Sequence, residues 1–211
     1  MTRHSIVSLL LAAVVLAGAF LPAAANAEGI GTIPPGSSYI LPGVDYVYLS
    51  DRYPTVSGNM RVFHNSWKKG GWDDFTDKLR FSDGEPFYMN GRDYRKGIGM
   101  YLIKSAFKSS AVGTVSSASV TYTLNGVYDY LSFDLGADRH TKYCEADDGK
   151  ARVEIYADNA CVFQTEWFSG SAFQHFDNVE LYGAIKVTIT LYISKGSNNT
   201  LGVVLGDPIL S

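Results

Sequence analysis

Apolar and polar positions alternate in short stretches along most of this chain, and each stretch stops at a turn signal. Val187, Ile189, Leu191 and Ile193 interleave with Thr188, Thr190 and Tyr192, the clearest half-buried strand. Leu131, Phe133 and Leu135 share one face of residues 130–135, and residues 119–124 alternate ahead of an Asn125-Gly126 turn. Residues 152–156 and 161–164 flank Asp158-Asn159 and predict a hairpin. A first strand is expected over 44–49, a short one over 78–81, and a last one over 202–205, before Gly206-Asp207-Pro208. Residues 52–76 read as a long irregular loop. About ten short strands without a helical period between them predict an all-β antiparallel sandwich or barrel.

Residues 90–101 (Asn-Gly-Arg-Asp-Tyr-Arg-Lys-Gly-Ile-Gly-Met-Tyr) carry the most information. Phe87-Tyr88-Met89 runs into Asn90-Gly91, a pair that supplies the two positive-φ positions of a type I′ hairpin turn. Gly97 and Gly99 then flank one aliphatic residue, a spacing that marks a bulge or the close approach of another backbone or a ligand.

Composition sharpens the picture. Arg3, the apolar run 6–20 and Ala25-Asn26-Ala27 read as a signal peptide over residues 1–27. The run is too short for a comfortable membrane span, so export in free form is expected, extracellular or periplasmic. Residues 28–43, rich in Gly, Pro and Ser, read as a flexible arm, and residues 44–211 as a single domain. Beyond the signal the chain is mildly acidic, which gives no electrostatic reason for a nucleic-acid or anionic-membrane partner. Cys144 and Cys161 are the two cysteines, and in an oxidising compartment they are expected to form one disulfide. In the entropic model a loop of that order contributes roughly 3 kcal/mol.

No Gly-x-Ser-x-Gly elbow, His-Glu-x-x-His pair or phosphate loop is present, so an enzyme is not expected. Sugar recognition instead needs an aromatic face and a few fixed polar groups. Trp67, Trp72, Tyr101 and Trp167 are the candidate aromatics, Trp167 being read as core. Asp138, Arg139 and His140 in one loop, and Asn198 and Asn199 in another, are the candidate polar groups. The competing readings are core filling for the aromatics and ordinary turn polarity for the rest.

An ordered series of short motifs carries a family resemblance. It comprises Tyr48-Leu49-Ser50-Asp51, the Asn90 to Gly99 segment, residues 131–138 (Leu-Ser-Phe-Asp-Leu-Gly-Ala-Asp), residues 153–158 (Val-Glu-Ile-Tyr-Ala-Asp), residues 183–187 and Asp207-Pro208-Ile209-Leu210. From Val44 to Ser211 the chain resembles NPCBM, the novel putative carbohydrate-binding module, related to galactose-binding-like jelly rolls. The resemblance implies a jelly-roll sandwich and non-catalytic recognition of glycans such as galactosides. It also implies a candidate structural calcium ion near the termini, for which Asp51 and Asp207 match the family's Ser-Asp and Asp-Pro elements. Two departures stand out. Tyr101 occupies a position where the family usually has histidine, and the stretch before Asp207 is wholly apolar where the family often has an acidic or amide residue and a tryptophan. Two expectations follow: an exported glycan-binding module, or an exported jelly roll that has lost its sugar site and binds another protein or a copy of itself.

Overall fold

In the computed structural model the described residues are 46–66, 86–138, 149–197 and 201–211, all within one compact unit, Ile40–Ser211. The signal peptide, the arm and the strand expected over 78–81 lie outside them. Thirteen strands are described: β1 (Val47–Tyr48), β2 (Pro54–Ser57), β3 (Met60–His64), β4 (Phe87–Met89), β5 (Arg92–Tyr94), β6 (Gly97–Leu102), β7 (Val115–Thr123), β8 (Tyr130–Ala137), β9 (Lys150–Ala157), β10 (Ala160–Gln164), β11 (Phe173–Glu180), β12 (Lys186–Ser194) and β13 (Val203–Leu210). Every pairing among them is antiparallel. One sheet runs β11-β8-β13-β6-β3, with β1 added alongside β13; the other runs β10-β9-β12-β7-β2. The fold is an all-β antiparallel sandwich of the jelly-roll type.

Strand alternation builds the core. Ile98, Met100 and Leu102 of β6, Leu131, Phe133 and Leu135 of β8, and Val203 and Leu205 of β13 face inward from the first sheet. They meet Val120 and Tyr122 of β7, Val153 and Ile155 of β9, and Val187, Ile189 and Leu191 of β12 from the second. All of these are buried, and their removal from water is the main driving force for closing the sandwich.

Several expectations need correction. Residues 52–76 were expected to be irregular, yet they contain β2 and β3, edge strands whose exposed faces disguise the apolar alternation. Strand β11 was not expected, because its apolar residues Phe173, Phe176 and Val179 recur every third position. A register shift between Phe176 and Val179, with Asn178 at φ 52°, brings them into a strand nonetheless. Strand β13 does not stop at Gly206. It passes through Asp207 at φ 44° and resumes register at Ile209, so Pro208 sits in a bulge where no ladder donor is required. The expected disulfide is also corrected: Cys161 carries a free thiol, exposed on edge strand β10 with Sγ 3.5 Å from the Phe163 carbonyl. It stands opposite Tyr156 in the β9–β10 ladder, which already holds this strand without a covalent tie. Cys144 lies outside the described residues.

The β4–β5 hairpin turns through Asn90 at φ 47° and Gly91 at φ 79°, the type I′ geometry that the sequence predicts. It forms its own two-stranded sheet. Phe87, Met89 and Tyr94 join Tyr101 and Val204 in a second buried cluster, separate from the inter-sheet core. Three glycines on the outward side of the first sheet make room for it. An added Cβ at Gly206 would lie 2.3 Å from the Tyr94 ring, one at Gly97 2.8 Å from the Phe87 ring, and one at Gly136 3.2 Å from Met89 Sδ. Gly206→Ala is therefore expected to lower stability by about 1–3 kcal/mol, the usual cost of overpacking, in urea unfolding followed by circular dichroism. An unchanged midpoint would show that the hairpin does not rest on this glycine.

Candidate functional site

The outward face of the first sheet, around the docked hairpin, concentrates the polar chemistry. Asp134 of β8 is the hub. Its Oδ2 accepts a hydrogen bond from the Tyr94 hydroxyl at 2.7 Å and lies 3.6 Å from Arg92 Nη1. Its Oδ1 is 2.6 Å from His175 Nδ1 on the neighbouring strand β11, where His175 stands directly opposite Asp134. His175 Nε2 reaches Asp177 Oδ1 at 2.9 Å. Arg92 donates from Nη2 to Asp207 Oδ2 at 2.6 Å, and its guanidinium lies over the Tyr94 ring at 4.6 Å. Asp134 is nearly buried, whereas the His175 side chain is 57% and the Asp177 side chain 67% exposed. The row thus runs from a fixed interior carboxylate to groups open to solvent.

Burial alone would push the Asp134 carboxyl up, but hydrogen bonds from His175 and Tyr94 outweigh it and hold the carboxyl below its ordinary range. His175 is pushed up to about 9, first by its hydrogen bond to Asp134, against partial burial, and then by the Asp177 and Asp134 charges. Tyr94 is raised by burial and then by the adjacent Asp134. Asp207 is raised, because burial outweighs the Arg92 contact.

A second ion pair borders the hairpin. Lys96 Nζ lies 2.7 Å from both carboxylate oxygens of Asp51, and Asn65 Nδ2 donates to Asp51 Oδ1 at 2.9 Å. At this corner the Lys96 backbone carbonyl also accepts a hydrogen bond from the Asp207 N–H at 2.9 Å. Asp51 and Asp207, the candidate calcium ligands, are therefore each matched by a cation. Among the described residues no group of three or more His, Cys, Asp or Glu side chains could hold a metal ion. Calcium takes six to eight oxygens, backbone carbonyls among them, and would compete with Lys96 and Arg92 for these two carboxylates.

The remaining expected site residues are dispersed. Tyr101 is 1% exposed and stacks on Phe63 with ring centroids 6.1 Å apart. Met100 and Leu102 face the inter-sheet core, so Tyr101 points to the outward side and is covered there. It shares its cluster with Val204, so the two positions that depart from the family pattern meet in one apolar contact region. Asp138 is fully buried, and its Oδ2 accepts from the Tyr88 backbone N–H at 2.8 Å, fastening the hairpin to the end of β8. Trp167 is 37% exposed, which corrects its reading as core. Trp67, Trp72, Arg139, His140, Asn198 and Asn199 lie outside the described residues. Arg92, Asp134 and His175 were not singled out from sequence. The hairpin turn was the available signal for Arg92, since it tells which residues begin the returning strand.

The sign of the pH dependence follows from His175 and Asp134. His175 binds its proton more tightly folded than unfolded, so its contribution is complete below about pH 6.5 and fades as pH rises through about 9. Asp134 shows the reverse: its contribution is present above the ordinary carboxylate range and is lost as pH falls. His175→Gln is expected to flatten the alkaline side of the melting-temperature profile between pH 6.5 and 9.5. Solvent screening keeps the difference under about 1 kcal/mol. Parallel alkaline limbs in wild type and variant would refute the coupling.

No curated protein matches the chain. Among solved structures, the CBM51-2 and INT domains of Clostridium perfringens ZmpB share 15% identity and a TM-score of 0.54, over 79% of this chain and 31% of that one. The CBM51 from Clostridium perfringens GH95, in complex with methyl-galactose, shares 23% identity and a TM-score of 0.49, over 79% of this chain and all of that one. The CBM51-2 and INT domains of ZmpB in complex with GlcNAc share 16% identity and a TM-score of 0.48, over 79% and 31%. The first of these likenesses agrees with the sandwich described above, and this chain spans less than a third of that protein chain's length. The NPCBM/NEW2 domain model matches residues 47–210, from the first strand to the end of β13. The chain belongs to the NPCBM/NEW2 domain family of carbohydrate-binding modules.

Proposed function

We propose that this chain is an exported, non-catalytic glycan-binding protein that recognises galactoside-type sugars through the outward face of its first sheet. The observation that carries the reading is the prearranged polar row Arg92–Asp134–His175–Asp177. Sugar hydroxyls both donate and accept, and a row that alternates cations and carboxylates offers partners for each role. Asp134 orients Arg92 and His175 before any ligand arrives, which reduces the entropy lost on binding. Export rests on the N-terminal apolar run and the small-residue site at 25–27.

A second reading is favoured by one specific observation. Tyr101, which stands where the family usually has histidine, is buried in an apolar cluster with Val204 of the apolar stretch before Asp207. On that reading the frame is retained, sugar recognition is lost, and the partner is another exported protein or a second copy.

Calorimetric titration of the chain from Glu28 onward with methyl-galactose and GlcNAc, alongside a glycan array, separates the two. The glycan reading expects saturable binding, weakened at least tenfold by Arg92→Ala and His175→Ala, with circular dichroism confirming the fold. Absence of binding to every glycan, together with a dimer in sedimentation, would overturn it in favour of the interaction protein.

A further inference from the structure

The open side of the sandwich holds a cavity that the polar row does not use. Edge strand β10 of one sheet and edge strand β11 of the other are joined by residues 165–172, which cross from sheet to sheet as an arch. Phe163 and Phe176 meet edge to face at 4.6 Å between these strands, and Phe133 lies 5.3 and 5.4 Å from them. A cavity of about 270 Å³ lies beneath the arch. Half-buried Phe168 and Phe176 supply its apolar walls, and exposed Glu166 and Gln174 its polar ones.

The walls are held in place before any ligand binds. Ala151 and Phe168 exchange both backbone hydrogen bonds at 2.8 Å, tying the arch to β9. Thr165 donates its N–H to the Val153 carbonyl and accepts the Val153 N–H on Oγ1, each at 3.0 Å. On the far limb the Ala172 N–H donates to the Ser169 carbonyl at 3.1 Å, closing the turn. Gln174 stands opposite Leu135, an inward-facing residue of β8 that also lines the cavity, so Gln174 shares its side of the sheet with Phe176. His175, between them, takes the other side and joins Asp134. Strand β11 therefore presents the polar row on one side and this cavity on the other.

We propose that the cavity under the β10–β11 arch is a binding site for one hexopyranose ring. This rests on the glycan reading above and assigns it a second location. The volume is below the roughly 300–1,000 Å³ of sites for drug-sized ligands, which suits a single ring. A pyranose has an apolar C–H face and a rim of hydroxyls. Phenyl walls take the first, while a side-chain amide and a carboxylate, which together donate and accept, take the second. Among the described residues Glu166 is the sole charged side chain in the lining, so an anionic sugar is disfavoured and a neutral hexose preferred.

Titration of the isotopically labelled protein with methyl-galactose and GlcNAc by heteronuclear NMR tests this, using two sets of variants. Gln174→Ala removes the amide, and Ala172→Phe fills the space; Arg92→Ala and His175→Ala alter the polar row. The cavity site expects chemical-shift changes centred on residues 165–176 and at least a tenfold loss of affinity in Gln174→Ala and in Ala172→Phe. Melting temperature checks the fold, and the amide variant alone decides if Ala172→Phe does not fold. Wild-type binding untouched by the cavity variants but lost in the polar-row variants would overturn this site and leave the glycan reading intact. No binding by the wild type to either sugar would overturn both.

Discussion

The docking of the β4–β5 hairpin on the outward face of the first sheet is the constraint around which the other features arrange themselves. A strand face carrying ordinary side chains would hold a second layer at the usual sheet-to-sheet spacing of about 10 Å. At Gly97, Gly136 and Gly206 the missing side chains let Phe87, Met89 and Tyr94 descend onto the backbone. Gly97 and Gly206 are direct partners in the β6–β13 ladder, and Gly206 is opposite Asp134 in the β13–β8 ladder. The aromatic ring of Tyr94 consequently lies over Gly206 with its hydroxyl on Asp134. One packing choice both buries the ring and places the hub of the polar row.

Electrostatics follow from that placement. The second cluster excludes water from one side of Asp134, so its hydrogen bonds are formed in a medium where they are stronger than in bulk solvent. His175 and Arg92 approach it from opposite sides, on β11 and on the hairpin, and connect two elements that are far apart in the chain. The bulge at Asp207 turns a carboxylate toward Arg92, so the residue that interrupts the ladder also supplies the guanidinium's second partner. The exposed ends of this network are supported from below by groups that cannot readily move.

Much of the fold was legible in the sequence. The β6, β8, β9–β10 and β12 patterns, and the type I′ turn at Asn90-Gly91, all came from alternation and turn chemistry, which are local properties. The misses share a cause. In β11 a bulge changes the apolar spacing from two to three, and in β13 Gly-Asp-Pro has the composition of a turn while acting as a bulge. Edge strands β2 and β3 are half solvated, which blurs their pattern. The site was harder to read, because Arg92, Asp134, His175 and Asp207 are brought together by pairings that span from 41 to 115 residues. Tyr101 was visible as an exception to the family pattern, but its burial beside Val204 was not.

The sequence by itself determined the class of fold and the family, since both rest on short-range alternation, turn residues and the order of motifs. It also determined that the hairpin would form, because Asn-Gly prefers the backbone angles of a tight turn. Tertiary structure alone decided that Gly97, Gly136 and Gly206 form a bed for that hairpin, and that Cys161 remains a free thiol. It alone decided that Asp138 fastens backbone while Asp134 organises a surface row. The physical reason is the alternation of strand faces. Neighbouring residues point to opposite sides of a sheet, so what a side chain meets depends on which distant strands pair beside it, and at which register.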